Sequence, residues 1–289
     1  MKKINFLTCL FAICLFAACG GDDHSHAEGS DHDHAHEHAG ETHGHDHAHE
    51  GDGHTHDHGT ESAVKLTDFS NSPEFKDATI TKMTYENGQF DFDYTGTDYK
   101  LGEQTGDAEV KMCANSGKGQ HIHLIVDDKP YAAKYVSEFE HEVMDGEHYI
   151  LAFLSRSYHE SIKNGTASTV KKVNVANKGI TEATDVTDPM LFYSRPKGTY
   201  VGEAATTKVM LDFFLHNVTL GDDYQVKVEV NGAEIATLKD WKPYFLEGLP
   251  MGDNKVKLTL VDGTGKAVAA PLNPVERVFT LKEDPAQEG

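Results

Sequence analysis

Histidine is the residue type through which this chain could do chemistry. Thirteen of its 19 histidines lie in one tract: His24, His26, His32, His34, His36, His38, His43, His45, His47, His49, His54, His56 and His58. Most recur at every second position, and Asp or Glu fills many of the gaps, as in Asp31-His32-Asp33-His34. Neutral imidazole suits Zn²⁺, Cu²⁺ and Ni²⁺, while interleaved carboxylates add negative potential, oxygen ligands and acceptors that orient the rings. A flexible chain can fold four such ligands round one ion, so the tract is expected to hold several exchangeable ions rather than one caged ion. Because the unperturbed imidazole pKa is about 6.5 and the neutral form is the ligand, capture should weaken as pH falls through that region. Zinc is the expected metal, with copper or nickel open, since the order of divalent affinities favours Cu²⁺ wherever it is available. The other reading of the tract, compatible with the first, is a solvated spacer that holds the folded part off a membrane.

A second, smaller set lies farther on. His121 and His123 alternate on one face of a strand, so with His148 or His141 they could close a structured metal site. The H-x-H pair is similar to that of cupin-like proteins, although no Glu follows at the cupin spacing. Only three arginines are present, and two sit in echoing contexts, Ser155-Arg156-Ser157 and Ser194-Arg195-Pro196. The planar guanidinium fork suits carboxylate or phosphate, so Arg156 and Arg195 with His159 and Lys197 could form an anion pocket. Ordinary ion pairs with some of the 36 acidic residues after position 60 are the alternative.

The elements that must position these groups begin with an entry signal. Met1-Lys2-Lys3 precedes a 13-residue apolar run over 6–18, too short for a bilayer whose hydrocarbon is about 30 Å thick. Phe16-Ala17-Ala18-Cys19-Gly20 resembles a bacterial lipobox, with Phe16 where Leu is usual, and implies cleavage after residue 18 and lipidation of Cys19. Several acyl chains at about 0.8 kcal/mol per buried CH₂ would anchor the chain to a membrane without a spanning helix. The acidic pair Asp22-Asp23 is similar to the export signal of surface lipoproteins of Bacteroidota-like bacteria, which implies an outer-membrane lipoprotein on its periplasmic face or at the cell surface. The tract over 19–60 contains no Leu, Ile, Val or carbocyclic ring, so it cannot bury enough apolar surface to offset its ordering entropy and should be disordered. The formal charge of −21 argues against nucleic acid as a partner, because phosphate contacts need a cationic surface.

Beyond residue 60 the texture becomes short alternating runs broken by Gly, Asn and Asp, such as 89–94, 109–112, 121–126, 224–230 and 255–261. Residues 134–145 could form a turn or two of helix. The expected fold is all-β, with two Ig-like β-sandwiches in tandem after the tract: residues 61–185 with an N-terminal extension, then 186–289. A repeat at an offset of about 104 to 106 supports this division, pairing 121–128 with 225–232 and 150–154 with 256–260. In the second copy Val226, Val228, Val230, Val256, Leu258 and Leu260 must face the core, because their neighbours are mostly polar. The same phase places His121, His123, Ile125, Tyr149, Leu151 and Phe153 on the outer face of the first copy. That face is too apolar to meet water. Either the aromatic extension or the second sandwich covers it, or it receives a ligand or partner.

The stretches around Arg156 and Arg195, with Leu246-Glu247-Gly248-Leu249-Pro250-Met251-Gly252 and residues 256–262, resemble an uncharacterised family of bacterial lipoproteins with a sandwich fold, sometimes labelled phosphopeptide-binding. The resemblance covers about residues 105–281. It implies an anion-recognising module with Arg156 and Arg195 as binding residues. The tract, by composition, is similar to the His-rich segments of bacterial zinc-uptake proteins. No nucleophile elbow is present, and Cys113 lies in an apparent strand with no identifiable base. A non-enzymatic lipoprotein that captures metal and presents its sandwiches to an envelope protein or peptide is therefore expected. The alternative is a recognition module for an anionic or phosphorylated peptide or glycan, with the tract as spacer.

Overall fold

Alternating sequences in the second copy build its sandwich directly. β13 (Tyr224–Val230) pairs antiparallel with β16 (Gly252–Asp262), Val226 opposite Leu260 and Val230 opposite Val256. Their apolar phase faces inward, where Val226, Val228, Val256, Leu258 and Leu260 are fully buried. This computed structural model describes residues 64–285; the signal, Cys19 and the histidine tract lie outside the described residues. β14 (Ala233–Leu238), β17 (Val275–Lys282) and the parallel edge strand β11 (Gly198–Val201) complete one sheet. The facing sheet runs β1-β15-β12-β10, built from β1 (Lys65–Asp68), β10 (Met190–Arg195), β12 (Lys208–His216) and β15 (Tyr244–Glu247).

The first copy repeats the arrangement. β4 (His121–Val126) pairs with β7 (Gly146–Ser155), placing His121 opposite Ser155. That register is the repeat of Gln225 opposite Val261 in the second copy. β5 (Ala132–Lys134), β8 (Ser168–Ala176) and β9 (Gly179–Asp185) extend this sheet, which packs on a three-stranded sheet of β2 (Thr79–Glu86), β3 (Gln89–Thr95) and β6 (Glu138–Glu140). The protein is thus all-β, with two Ig-like sandwiches. Among the described residues no helix is long and apolar enough to cross a membrane.

The phase inferred for the first copy holds. Ile122, Leu124, Ile150, Ala152 and Leu154 join the inner core with Tyr85, Phe90 and Phe92 of the extension. Ile125, Leu151 and Phe153 point the other way and meet Met190, Phe192 and Phe214 of the second sandwich. Phe153 stacks on Phe214 with ring centroids 5.2 Å apart. The extension is therefore a sheet of the first sandwich rather than its outer cover, and the second sandwich does the covering.

Three local expectations give way. Residues 109–112 are not a strand: a 3₁₀ turn occupies Ala108–Val110, and Cys113 lies in the irregular segment after it. Residues 134–145 are not helical, because Phe139 is buried as the central residue of β6 and needs a pleat to reach the core. The division at 61–185 also fails at its start, since β1 pairs with β15 of the second sandwich, Leu66 opposite Leu246.

A buried ion pair ties the copies together. Asp212 of β12 is fully buried and accepts hydrogen bonds from the Ser161 backbone N–H at 3.1 Å and the Lys163 ammonium at 2.7 Å. Removing one partner of such a pair leaves an uncompensated charge. Asp212→Ala should lower unfolding free energy by about 3–5 kcal/mol, measured by urea titration. A loss below about 1 kcal/mol would show that the contact is not part of the fold's support.

Candidate metal centre at the junction

Two consecutive outward positions of β4 carry His121 and His123, both fully buried against the second sandwich. The third imidazole comes from the loop that ends β7. There the Arg156 backbone N–H donates to the Glu160 carbonyl, the His159 N–H donates to the Arg156 carbonyl, and Ser155 bridges to Ser161. This tight loop holds His159 at φ 71°, a left-handed conformation uncommon outside glycine, and turns its ring inward. The ligand atoms of His121, His123 and His159 all lie within 4.8 Å of one another. His121 Nε2 is 2.9 Å from His123 Nε2 and 3.0 Å from His159 Nδ1. Tetrahedral zinc with Zn–N bonds of 2.0–2.1 Å requires ligand nitrogens about 3.3 Å apart, so small rotations would seat an ion.

His148 is not a member. It lies seven residues before Ser155 on β7, at the far end of the strand, where its Nδ1 meets Asp127 at 2.8 Å and its Nε2 meets the Met144 carbonyl at 2.9 Å. His141 packs on Phe90 at the extension. His159, which the sequence associates with an anion pocket, takes the place expected of His148. That pocket also divides. Arg156 is spent on the Pro73 and Ser161 carbonyls and on Glu160, 3.5 Å away, so it anchors the loop rather than facing a ligand. Arg195 and Lys197 stay beside His159 through Tyr131, a residue that the sequence did not single out.

Tyr131 is the hub. Its ring stacks on His123 with centroids 3.6 Å apart and planes 7° apart, and the Lys197 ammonium lies 3.9 Å from its centroid. Its hydroxyl accepts from Arg195 Nε at 3.0 Å and lies 3.3 Å from His159 Nδ1.

Gly119 offers only a carbonyl to His121 Nδ1, at 2.8 Å, so that nitrogen carries the proton and Nε2 keeps a lone pair. Only glycine can stand at 119, because a Cβ there would lie 2.5 Å from the Gly102 carbonyl oxygen. The Tyr131 hydroxyl accepts from Arg195 Nε and lies 3.3 Å from His159 Nδ1, which either accepts from it or donates its own N–H to His121 Nε2. His121 Nε2 thus presents its lone pair to His123 Nε2 at 2.9 Å and to His159 Nδ1 at 3.0 Å. One N–H from either neighbouring ring satisfies that lone pair, and a bound cation would accept a lone pair from all three rings. The backbone carbonyl on the far nitrogen of His121 is the outer partner a ligating histidine usually has, and Ser194 Oγ stands 3.4 Å from His123 Nδ1.

The electrostatics keep the rings neutral. Burial, with Arg195 and Lys197 adding to it, pushes the His121 pKa down to about 4. His123 and His159 are also held well below the usual imidazole range, mainly by burial. Burial pushes the Cys113 thiol up to about 11, so it is neither nucleophile nor ready thiolate ligand at neutral pH.

The fold and this cluster define the class: an all-β protein of two immunoglobulin-like sandwiches that brings three imidazoles together, two of them fully buried, where the sandwiches meet. Neither a family model nor a curated protein matches the sequence. Among solved structures, the fibronectin(III)-like modules of Clostridium thermocellum CbhA match 33% of this chain and 100% of their own at 13% identity, with a TM-score of 0.27. A likeness that weak carries no argument.

Proposed function

We propose that this chain is a transition-metal-binding envelope lipoprotein with two grades of site. The tract His24–58 gathers Zn²⁺, or Cu²⁺ or Ni²⁺, in exchangeable sites, and His121, His123 and His159 hold one ion at the sandwich junction. The observation that supports the reading is the convergence of three imidazoles whose ligand atoms lie within 4.8 Å of one another, with the far nitrogen of His121 held by the Gly119 carbonyl. Three neutral imidazoles leave a fourth position for water or an anion. Lipid on Cys19 anchors the chain at the outer membrane, and the sandwiches present the bound metal to an envelope partner.

Zinc titration of the full chain by calorimetry separates the two grades. With all thirteen tract histidines changed to Asn, several weak sites should vanish and one site should remain. If no zinc binds to that folded variant near neutral pH, the junction site is wrong. Equal stoichiometry in the two proteins would remove the tract from the function.

A further inference from the structure

Next to the histidines, on the second sandwich, lies a cationic cluster without an ion-pair contact; Asp128 approaches Arg277 only through its backbone carbonyl. Arg195 ends β10, Lys197 follows it, and Arg277 comes from β17 beside the parallel strand β11. Two tyrosines interleave with them: Arg277 packs over the Tyr193 ring at 5.4 Å, and Arg195 packs over the Tyr200 ring at 5.8 Å. Among the described residues, no carboxylate oxygen lies within ion-pair distance of these three cations, although the chain carries 36 acids after residue 60.

Four buried polar atoms here have no partner: an Arg195 terminal nitrogen, Arg277 Nε, and the hydroxyls of Tyr193 and Tyr200. They are half of the eight such side-chain atoms among the described residues. Arg195 is 7% exposed, Tyr193 2% and Tyr200 5%. A buried guanidinium nitrogen without an acceptor is costly, and unpartnered polar atoms gathered in one place indicate a ligand that bonds them. Arg195 still has its fork free, because its bond to Tyr131 uses only Nε. Arg277 spends one terminal nitrogen on the Asp128 carbonyl.

We propose that Arg195, Arg277, Lys197, Tyr193 and Tyr200 form the binding site of a small free oxyanion of the phosphate or sulfate type. Two guanidinium groups and an ammonium can only donate, the Lys197 ammonium already giving one hydrogen to the Tyr131 carbonyl, and two phenolic hydroxyls can donate as well, whereas a fully ionised tetrahedral oxyanion accepts from all of them. Because Arg195, Tyr193 and Tyr200 are buried, a free ion suits the site better than a phosphoryl group carried on a peptide chain. The site does not require metal at the histidines. It would favour that metal if present, since the oxyanion offsets the positive charge of Arg195 and Lys197 beside the imidazoles.

The test is calorimetry of the full chain, kept metal-free by chelator, with inorganic phosphate as the probe and a phosphoserine peptide as the second arm. One phosphate site is expected, weakened at least about tenfold by Arg277→Gln or Lys197→Gln. Both side chains are only partly buried, so near-ultraviolet dichroism should confirm that these variants stay folded. Arg195→Lys, which keeps charge and loses the fork, should weaken phosphate similarly. No phosphate heat with folded wild-type chain would overturn the proposal, as would unchanged affinity in both Gln variants. Tighter binding of the phosphopeptide than of phosphate would overturn the choice of a free ion. Because chelator is present throughout, a failed zinc titration would leave this result standing.

Discussion

In a chain whose tract histidines are all Asn, His159→Asn should lower zinc affinity by more than the roughly 10–100-fold that loss of an outer-shell partner costs. His159 supplies one of only three imidazole nitrogens, so its removal leaves two ligands on β4 and nothing from the loop. Asn is the informative replacement because it tolerates the left-handed backbone that His159 adopts at φ 71°. The loop, held by Arg156 and the Ser155–Ser161 bridge, should survive the change. His148→Asn serves as the control and should leave affinity unchanged, since His148 is occupied by Asp127 and the Met144 carbonyl at the other end of β7. If His148→Asn weakens zinc as much as His159→Asn, the junction cluster is not the site.

The second large effect concerns acid. With metal chelated, the folded state keeps His121 neutral down to about pH 4, whereas the unfolded chain protonates it near its ordinary value. Below that value the unfolded state therefore binds more protons than the native state, and stability falls as pH drops. The shift from 6.5 to about 4 corresponds to about 3 kcal/mol lost across that window from His121 alone. His123, depressed in the same direction, adds to the loss. Urea unfolding at several pH values between neutral and 4.5 measures it. Carboxylates titrate mostly below about pH 5, so the slope between neutral and about pH 5.5 reports histidine. Changing His121 and His123 together to Gln should flatten the curve, and a wild-type curve that is already flat would mean that these rings can take up protons in the folded state.

The two effects also distinguish the two grades of metal site. Tract imidazoles, if solvated, should release zinc as pH falls through about 6.5. The junction imidazoles face weaker proton competition because burial already holds them neutral. Zinc retained at pH 5.5 should therefore belong to the junction.

Much of the fold was legible because period-two alternation is a local signal. Val226, Val228 and Val230 define an inward phase from their polar neighbours alone, and the repeat carries that phase onto Ile122, Leu124 and Val126. The need to cover His121, His123, Leu151 and Phe153 follows from that alternation by itself. Where local pattern was ambiguous the reading failed: the 109–112 run reads as a strand but makes a turn, and residues 134–145 contain a pleated strand because Phe139 must reach a core built by Phe90 and Phe92.

What the sequence settled by itself is the all-β class, the repeated sandwich and the face on which His121 and His123 stand, since each follows from side-chain alternation over a few residues. Tertiary structure alone decided which third histidine joins them, because ligand convergence depends on where a loop turns. Nothing local distinguishes His159 from His148. The second sandwich as the cover of that face, Tyr131 as the hub, and Arg195 and Arg277 brought together without a carboxylate likewise depend on contacts between residues as far apart in the chain as 131 and 195. Burial, which sets both the protonation of the imidazoles and the cost of an unpaired guanidinium, exists only once the two sandwiches have closed on each other.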